Sequence, residues 1–342
     1  MNESTIPFGV IGAGRIGKIH AANLANRIPD ARVIVLSDVT QDECKRLAGQ
    51  LNIAKTTPDY RAVLRDPEVQ AIAICASTNS HFDIIMAAAD AGKHIFCEKP
   101  IDLSIENIKT IDKKIRDTGV IFMVGFNRRF DANFLKIRDL VRSGAVGDPH
   151  VVKITSRDPA PPPEQYIRSS GGLFLDMTIH DFDMARYLIG SEIVEVYAQG
   201  RVLVDPVFEK AGDIDTATVM LNYESGALAV IDNSRRAVYG YDQRVEVFGS
   251  KGMATVTNKT PDNHIYSDAD GIHSALPLNF FMERYVDSFL TEMQIFVDCV
   301  KKQVEPPVTT WDGLASVAIA LAANKSIEEH RPVRVAEFVE HR

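Results

Sequence analysis

The stretch from Ile6 to Leu24 constrains this chain more than any other. A short apolar run, Phe8 to Ile11, has the length and branching of a buried strand. It ends in Gly12-x-Gly14-x-x-Gly17, after which Ile16, Ile19 and Leu24 fall at helical spacing. Gly12 permits a tight turn out of the strand. Gly14 lets a pyrophosphate approach the backbone, and Gly17 lets the helix pack close to the sheet. The helix N-terminus then offers unpaired N–H groups and a positive dipole end to phosphates. A second apolar run, Val33 to Leu36, ends in Ser37-Asp38, 21 residues beyond Gly17. A carboxylate there accepts hydrogen bonds from the adenosine ribose hydroxyls and repels a 2′-phosphate. Glycine loops alone are weak signals. The strand–loop–helix context and Asp38 together favour a dinucleotide site that selects NAD over NADP, against an ordinary βα turn with a helix-capping Asp.

Residues 6 to about 125 continue this pattern. Apolar runs at 8–11, 33–36, 71–76, 94–97 and 120–124 alternate with helical patterns at 15–27, 40–50, 81–91 and 104–117. Such alternation predicts a doubly wound parallel sheet covered on both faces. Ser77-Thr-Asn79-Ser-His81 follows one of these runs, at the strand end where open α/β sheets bind ligands. After about residue 148 the segments 150–157, 193–203, 214–223, 227–236 and 243–248 are rich in Val, Ile, Thr and Tyr. Turn signals separate them, which predicts a large, mostly antiparallel sheet with one face covered. Pro159 to Pro163 predicts a stiff loop, residues 172–189 a helix, and 281–302 and 310–330 two late helices. The expected division is therefore an N-terminal dinucleotide-binding domain, 1–125, and an α/β domain, 126–342, whose late helices are free to pack back on the first.

Length suits two domains, and 45% hydrophobic with 25% charged residues suits a globular protein with real cores. The net charge of −8 with dispersed basic residues argues against a nucleic-acid footprint. No run of 18 apolar residues predicts a membrane span, and the N-terminal Met-Asn-Glu-Ser-Thr lacks the basic start of a signal peptide. Cys44, Cys75, Cys97 and Cys299 show no close pairing and read as reduced thiols in a cytoplasmic protein.

Two further motifs carry chemistry. Cys97-Glu98-Lys99-Pro100 ends an apolar run and places Lys99 over the crevice. A lysine partly desolvated beside a cationic nicotinamide suits proton traffic, although the tripeptide alone favours a surface Lys-Pro turn. In Asp176-Met-Thr-Ile-His180-Asp-Phe-Asp183, Asp176 and His180 are i and i+4 on a helix and share a face. A carboxylate beside an imidazole fixes its tautomer and raises its basicity, as a general base requires. A zinc-binding pair and a solvated helix face are the competing readings; no Cys or His cluster elsewhere completes a metal site, so no metal is expected. Asn127-Arg128-Arg129, Ser156-Arg157-Asp158 and Tyr239-Gly-Tyr241 present groups that suit a polyol or an ordinary polar turn.

The set Gly12-Ala-Gly-Arg-Ile-Gly17, Glu98-Lys-Pro100, Gly125-Phe-Asn-Arg-Arg-Phe130 and Asp176-x-x-x-His180 resembles the glucose–fructose oxidoreductase/inositol dehydrogenase/rhizopine catabolism (Gfo/Idh/MocA) family, in order and over nearly the whole chain. Phe96 to Asp102, Ser156 to Pro159, Asp176 to Arg186 and Tyr239 to Arg244 are similar to the bacterial inositol-dehydrogenase branch of that family. The resemblance implies a Rossmann domain, an α/β domain with a large open sheet, and a homodimer or homotetramer built on that sheet's outer face. It implies NAD-dependent oxidation of myo-inositol to 2-keto-myo-inositol (scyllo-inosose); the alternatives are the same chemistry on another inositol stereoisomer or a pyranose sugar, and a non-catalytic NAD-binding sensor. Lys99, Asp176 and His180 match the catalytic set. Arg15, Ile16, Asp38 and Asn79 match cofactor-contacting positions and join Gly12, Gly14, Gly17, Ser77, Glu98 and Lys99 as the cofactor set. Arg128, Asp158, Asp183 and Tyr239, with the catalytic three, fall in motifs that border the polyol.

Overall fold

A computed structural model describes residues 5–339. Residues 1–4 and 340–342, and with them most of the N-terminal segment read above, lie outside the described residues. The chain forms two compact units. One runs to Phe130 and resumes at Asp287–Val317; the other holds Asp131–Val286 and resumes at Ala318.

The first unit is built on a six-stranded sheet. Its strands are β1 (Ile6–Ile11), β2 (Ala31–Ser37), β3 (Lys55–Thr57), β4 (Ala71–Ile74), β5 (His94–Glu98) and β6 (Phe122–Gly125). They run parallel in the order β3-β2-β1-β4-β5-β6. β1 and β4 are buried along their whole length, because a parallel strand between helical layers meets protein on both faces. The crossover helices are α1 (Arg15–Asn26), α2 (Gln41–Gln50), α3 (Tyr60–Arg65), α4 (His81–Asp90) and α5 (Ile105–Thr118). The predicted runs match β1, β2, β4, β5 and β6. The edge strand β3 is only Lys-Thr-Thr, too short and too polar to leave an apolar run.

Two close approaches seat α1 on the sheet. Gly12 has φ +101°, and a Cβ there would stand 2.5 Å from the Cys75 carbonyl group at the end of β4. A Cβ on Gly17 would stand 1.9 Å from the Gly12 carbonyl oxygen. At Gly14 nothing lies within 4 Å of such an atom. The third face of this core comes from far along the chain. Phe296 meets the ring of Phe8 at 6.0 Å and that of Phe96 at 5.8 Å between centroids.

The second unit has a seven-stranded sheet. β7 (Pro149–Arg157), β8 (Ile193–Arg201), β9 (Thr216–Tyr223), β10 (Leu228–Ser234), β11 (Asp242–Gly249) and β12 (Gly252–Val256) are joined by the short edge strand β15 (Val333–Arg334) in the order β12-β11-β7-β10-β9-β8-β15. Every pairing is antiparallel except β7 with β10. A hairpin of β13 (Ile265–Ser267) and β14 (Ile272–Ser274) stands apart. Helices α6 (Ala132–Arg142), α7 (Glu164–Ile167), α8 (Ile179–Ile189), α9 (Val207–Lys210) and α10 (Phe281–Arg284) belong to this unit. The late helices are α11 (Val286–Lys302) and α12 (Thr310–Glu329), α12 entering the second unit at Ala318. The sheet is one-sided, as the alternation predicts. Val152, Ile154, Ala229, Ile231, Val245 and Val247 are buried on one face, while Met220, Leu228, Phe248 and Met253 are exposed on the other. Among the described residues no helix is long and apolar enough to cross a membrane.

Gly17→Ala is expected to lower stability by about 1–3 kcal/mol, because α1 must lift from β1 to admit a methyl group. Gly14→Ala is expected to stay within about 0.5 kcal/mol, since its space is open. Thermal denaturation of both variants checks this; an unchanged midpoint for Gly17→Ala would show that α1 does not need the approach.

Candidate active site

In the first unit the sheet order reverses beside β1, so the loops after β1 and β4 leave in opposite directions and open a crevice at the strands' C-terminal ends. Gly14 is the N-cap of α1 and makes no side-chain cap. The first-turn N–H groups of α1 are therefore available to an anion, and the open space at Gly14 lets it approach. Arg15 is exposed and Ile16 half-buried in that turn. Asp38, just past β2, accepts from the Ala13 N–H at 2.6 Å and the Thr40 N–H at 2.7 Å. Its charge thus sits against the glycine loop. These residues fit a dinucleotide: pyrophosphate at the α1 N-terminus, adenosine ribose at Asp38.

Ser77 and Asn79 are exposed in the loop after β4, and Lys99 is half-buried directly after β5. A residue not assigned a role from sequence ties these loops together. His81 is 1% exposed, with Nδ1 2.9 Å from the Pro100 carbonyl and Nε2 3.0 Å from the Ala76 carbonyl. Burial pushes its pKa down, so the ring is neutral near pH 7 and donates to one of the two. Cys97 lies beside it, its thiol pushed up by burial and so inert as a thiolate. Glu98 accepts from His20 at 2.6 Å, and Arg128 is buried in the turn after β6.

In the second unit the predicted helix over 172–189 is not uniform. Phe174–Thr178 form a π-helical turn and α8 continues from Ile179. Thr178 Oγ1 reaches back to the Leu173 carbonyl at 3.3 Å, five residues away, as such a turn allows. Asp176 sits in this wide turn and is buried. Its Oδ1 accepts from the Tyr166 hydroxyl at 2.7 Å and its Oδ2 from Arg235 at 2.8 Å. Arg235 also donates to Asp158 at 3.1 Å. Burial works against the Arg235 charge, but the two carboxylates more than offset it and keep it cationic. Below Asp176, Thr178 donates to Asn233 at 2.8 Å and Asn233 to Asp181 at 2.8 Å, so the buried polar groups satisfy one another. His180 is half-buried in the first turn of α8, and Asp183 is fully buried one turn on.

The structure thus brings Asp158 and Asp176 together through Arg235. Tyr239 is not brought to that group. Its hydroxyl accepts from Arg157 at 3.0 Å and donates to Asp242 at 2.6 Å, and both partners alternate with the inward-facing Ser156 and Gln243. It therefore lies on the other face of the sheet. Sequence reasoning passed over Arg235 and Tyr166. Nothing local marks Arg235, whose partners are 59 and 77 residues away in sequence. Tyr166 had a weak signal, an aromatic residue just beyond the proline loop.

Arg235→Met removes the guanidinium between the buried Asp176 and the half-buried Asp158 and is expected to cost about 3–5 kcal/mol at pH 7. The loss should shrink near pH 4, where carboxylates take up protons. Thermal midpoints at both pH values check this, and an unchanged midpoint at pH 7 would show that the pair does not depend on Arg235.

Comparison with known proteins covers both units. Residues 6–126 match the oxidoreductase family with an NAD-binding Rossmann fold, and residues 134–255 match the GFO/IDH/MocA C-terminal domain. The chain is 50% identical over 332 residues to a myo-inositol 2-dehydrogenase of Thermotoga maritima, covering 97% of this chain and 99% of that one. It is 44% identical to an inositol 2-dehydrogenase of Rhizobium meliloti, covering 97% and 100%. A crystal structure of a probable dehydrogenase from Thermotoga maritima superposes with a TM-score of 0.96 at 49% identity, covering 98% and 100%. The four free cysteines and the one-sided sheet are consistent with the expectations above. The chain belongs to the Gfo/Idh/MocA family of NAD-dependent oxidoreductases.

Proposed function

We propose that the chain oxidises myo-inositol at one ring carbinol to 2-keto-myo-inositol, with NAD as acceptor. The observation that carries this reading is 50% identity over nearly the whole chain to a protein named for that activity. NAD supplies the hydride acceptor. It is held by Gly12, Gly14, Arg15, Ile16 and Gly17 at the phosphates, Asp38 at the ribose, and Ser77, Asn79, Glu98 and Lys99 toward the nicotinamide. The Asp38 carboxylate disfavours a 2′-phosphate, hence NAD over NADP.

The chain's own residues handle the proton. The imidazole of His180 takes the hydroxyl proton while the C–H hydride leaves, and the carbinol becomes a carbonyl. Lys99 donates a hydrogen bond to the same oxygen and stabilises the negative charge that develops there. Asp176, fixed by Tyr166 and Arg235, orients and polarises His180. Asp158, Arg128 and Asp183 provide or brace hydroxyl-binding groups; lysine and imidazole do the polarising, so no metal is needed. The protein works in the cytoplasm, which four free thiols suit.

It also works as a homo-oligomer. Val151 pairs with Leu228 and Phe248, Phe248 with Met253, and Val230 with Met220 on the outer face of the second sheet. A second copy of the chain covers this apolar strip. Phe248→Glu is expected to lower the mass seen in sedimentation; an unchanged assembly would remove this face from the interface.

The first assay is NADH absorbance with NAD or NADP and a panel of inositol stereoisomers and aldoses. Fast turnover of myo-inositol with NAD is expected, with Lys99→Ala and His180→Ala each slower by roughly a hundredfold or more while NAD binding persists. Turnover of another stereoisomer alone would move the substrate assignment. No turnover of any polyol, with NAD still bound, would overturn the enzymatic reading in favour of a sensor.

A further inference from the structure

The first unit contains a buried group that the proton transfer above does not use. His20 comes from the middle of α1, Glu98 from the end of β5 and Glu292 from α11. His20 Nε2 donates to Glu98 Oε1 at 2.6 Å and stands 3.9 Å from Glu292 Oε1. The nitrogen and the two carboxylate oxygens all lie within 4.8 Å of one another. His20 and Glu292 are fully buried, and the Glu98 side chain is 12% exposed. Among the described residues, neither oxygen of Glu292 has a hydrogen-bond partner, nor has His20 Nδ1.

Three donors of this kind invite a divalent ion, but the geometry favours a proton. Two ligands about 2.0 Å from a tetrahedral zinc stand roughly 3.3 Å apart, well beyond the 2.6 Å between His20 and Glu98. That distance is a charge-assisted hydrogen bond. The groups facing Glu292 are His20 from α1, Glu98 from β5 and the Cys75 thiol after β4, itself pushed up by burial. Phe96 and Phe289 pack edge-on to the His20 ring at 4.9 and 5.8 Å. Nothing here solvates an anion at Glu292, and burial, then the Glu98 charge, push its acid well up.

We propose that Glu292 is a positioning residue, a neutral carboxylic acid that leaves the single His20 Nε2 proton to Glu98. An ionised Glu292 would compete for that proton. Held by His20, the Glu98 carboxylate rests against Gly125, where a Cβ would stand 3.1 Å from its Cδ. Glu98 is the last residue of β5 and is bonded to Lys99, so the seat of Glu98 sets the base from which the Lys99 ammonium reaches the substrate. This last step rests on the role given to Lys99 above.

Two readouts test it. The first needs no turnover. An unfolded glutamic acid ionises near pH 4.3, so above that pH the wild-type chain must take up a proton at Glu292 to fold. The stability this acid allows is complete below pH 4.3 and is lost as pH rises toward its folded value. Glu292→Gln has no such loss. Its thermal midpoint should match wild type near pH 4.5 and exceed it increasingly toward pH 8.5, with the folding constant gaining up to roughly tenfold per pH unit. A Glu292→Gln midpoint below wild type at pH 8.5, or one equivalent of zinc or manganese in the purified protein by elemental analysis, would overturn the neutral-acid assignment. The second readout is kinetic. His20→Leu, which releases the Glu98 carboxylate, should lower kcat about tenfold or more, because small misplacements of a reacting group cost up to roughly a hundredfold. Glu292→Gln, neutral at every pH, should keep kcat and flatten the alkaline limb of the pH profile. Unaltered kcat in His20→Leu, or an alkaline limb unchanged in Glu292→Gln, with wild type turning over, would overturn the positioning role alone.

Discussion

The contact of α1 with β1 underlies everything in the first unit. Two hydrogen atoms make it possible, the missing side chains of Gly12 and Gly17. Because α1 descends so close to the strand, its N-terminus, without a side-chain cap, opens at the sheet's C-terminal edge and offers N–H groups that fit a dinucleotide phosphate. The same descent brings His20, one turn further on, within 2.6 Å of Glu98. One steric constraint therefore serves the phosphate site directly and the end of β5 indirectly. Asp38 closes the arrangement by bonding the Ala13 N–H inside the loop.

The second unit solves a different problem. It places carboxylates and an arginine where water is scarce, which is costly unless every charge is met. Arg235 meets two at once, Asp158 and Asp176. Tyr166 takes the remaining oxygen of Asp176. The Thr178–Asn233–Asp181 chain satisfies the polar groups beneath. The π-helical turn at Phe174–Thr178 is the backbone counterpart, since its wider ring re-aims Asp176 relative to a regular helix. The result is a buried carboxylate held in one geometry by Tyr166 and Arg235.

Much of this was legible in the chain. The glycine spacing, the apolar runs and Asp38 are local signals, and each names its own neighbour in space. β3 was not legible, because an edge strand of three polar residues leaves no pattern. Nor was the role of Phe296, which reaches Phe8 and Phe96 only because α11 returns to the first unit. Asp176 and His180 read as an ordinary i, i+4 pair; the π turn between Leu173 and Ile179 is invisible to a pattern that assumes 3.6 residues per turn. Tyr239 read as a site residue from its motif, but strand alternation carries its hydroxyl to the other sheet face with Arg157 and Asp242.

By itself the sequence determined the parallel sheet with its phosphate loop, the one-sided second sheet and the residue types able to move a proton. Those properties depend on side-chain periodicity and backbone freedom, which are written over a few consecutive residues. Only the tertiary structure decided which charges meet. Arg235 with Asp158 and Asp176, His81 between the β4 and β5 loops, and Glu292 beside His20 and Glu98 are pairings across long sequence separations. Electrostatic and hydrogen-bond partners are set by distance in space, and burial strengthens both their attraction and the cost of leaving one unmatched.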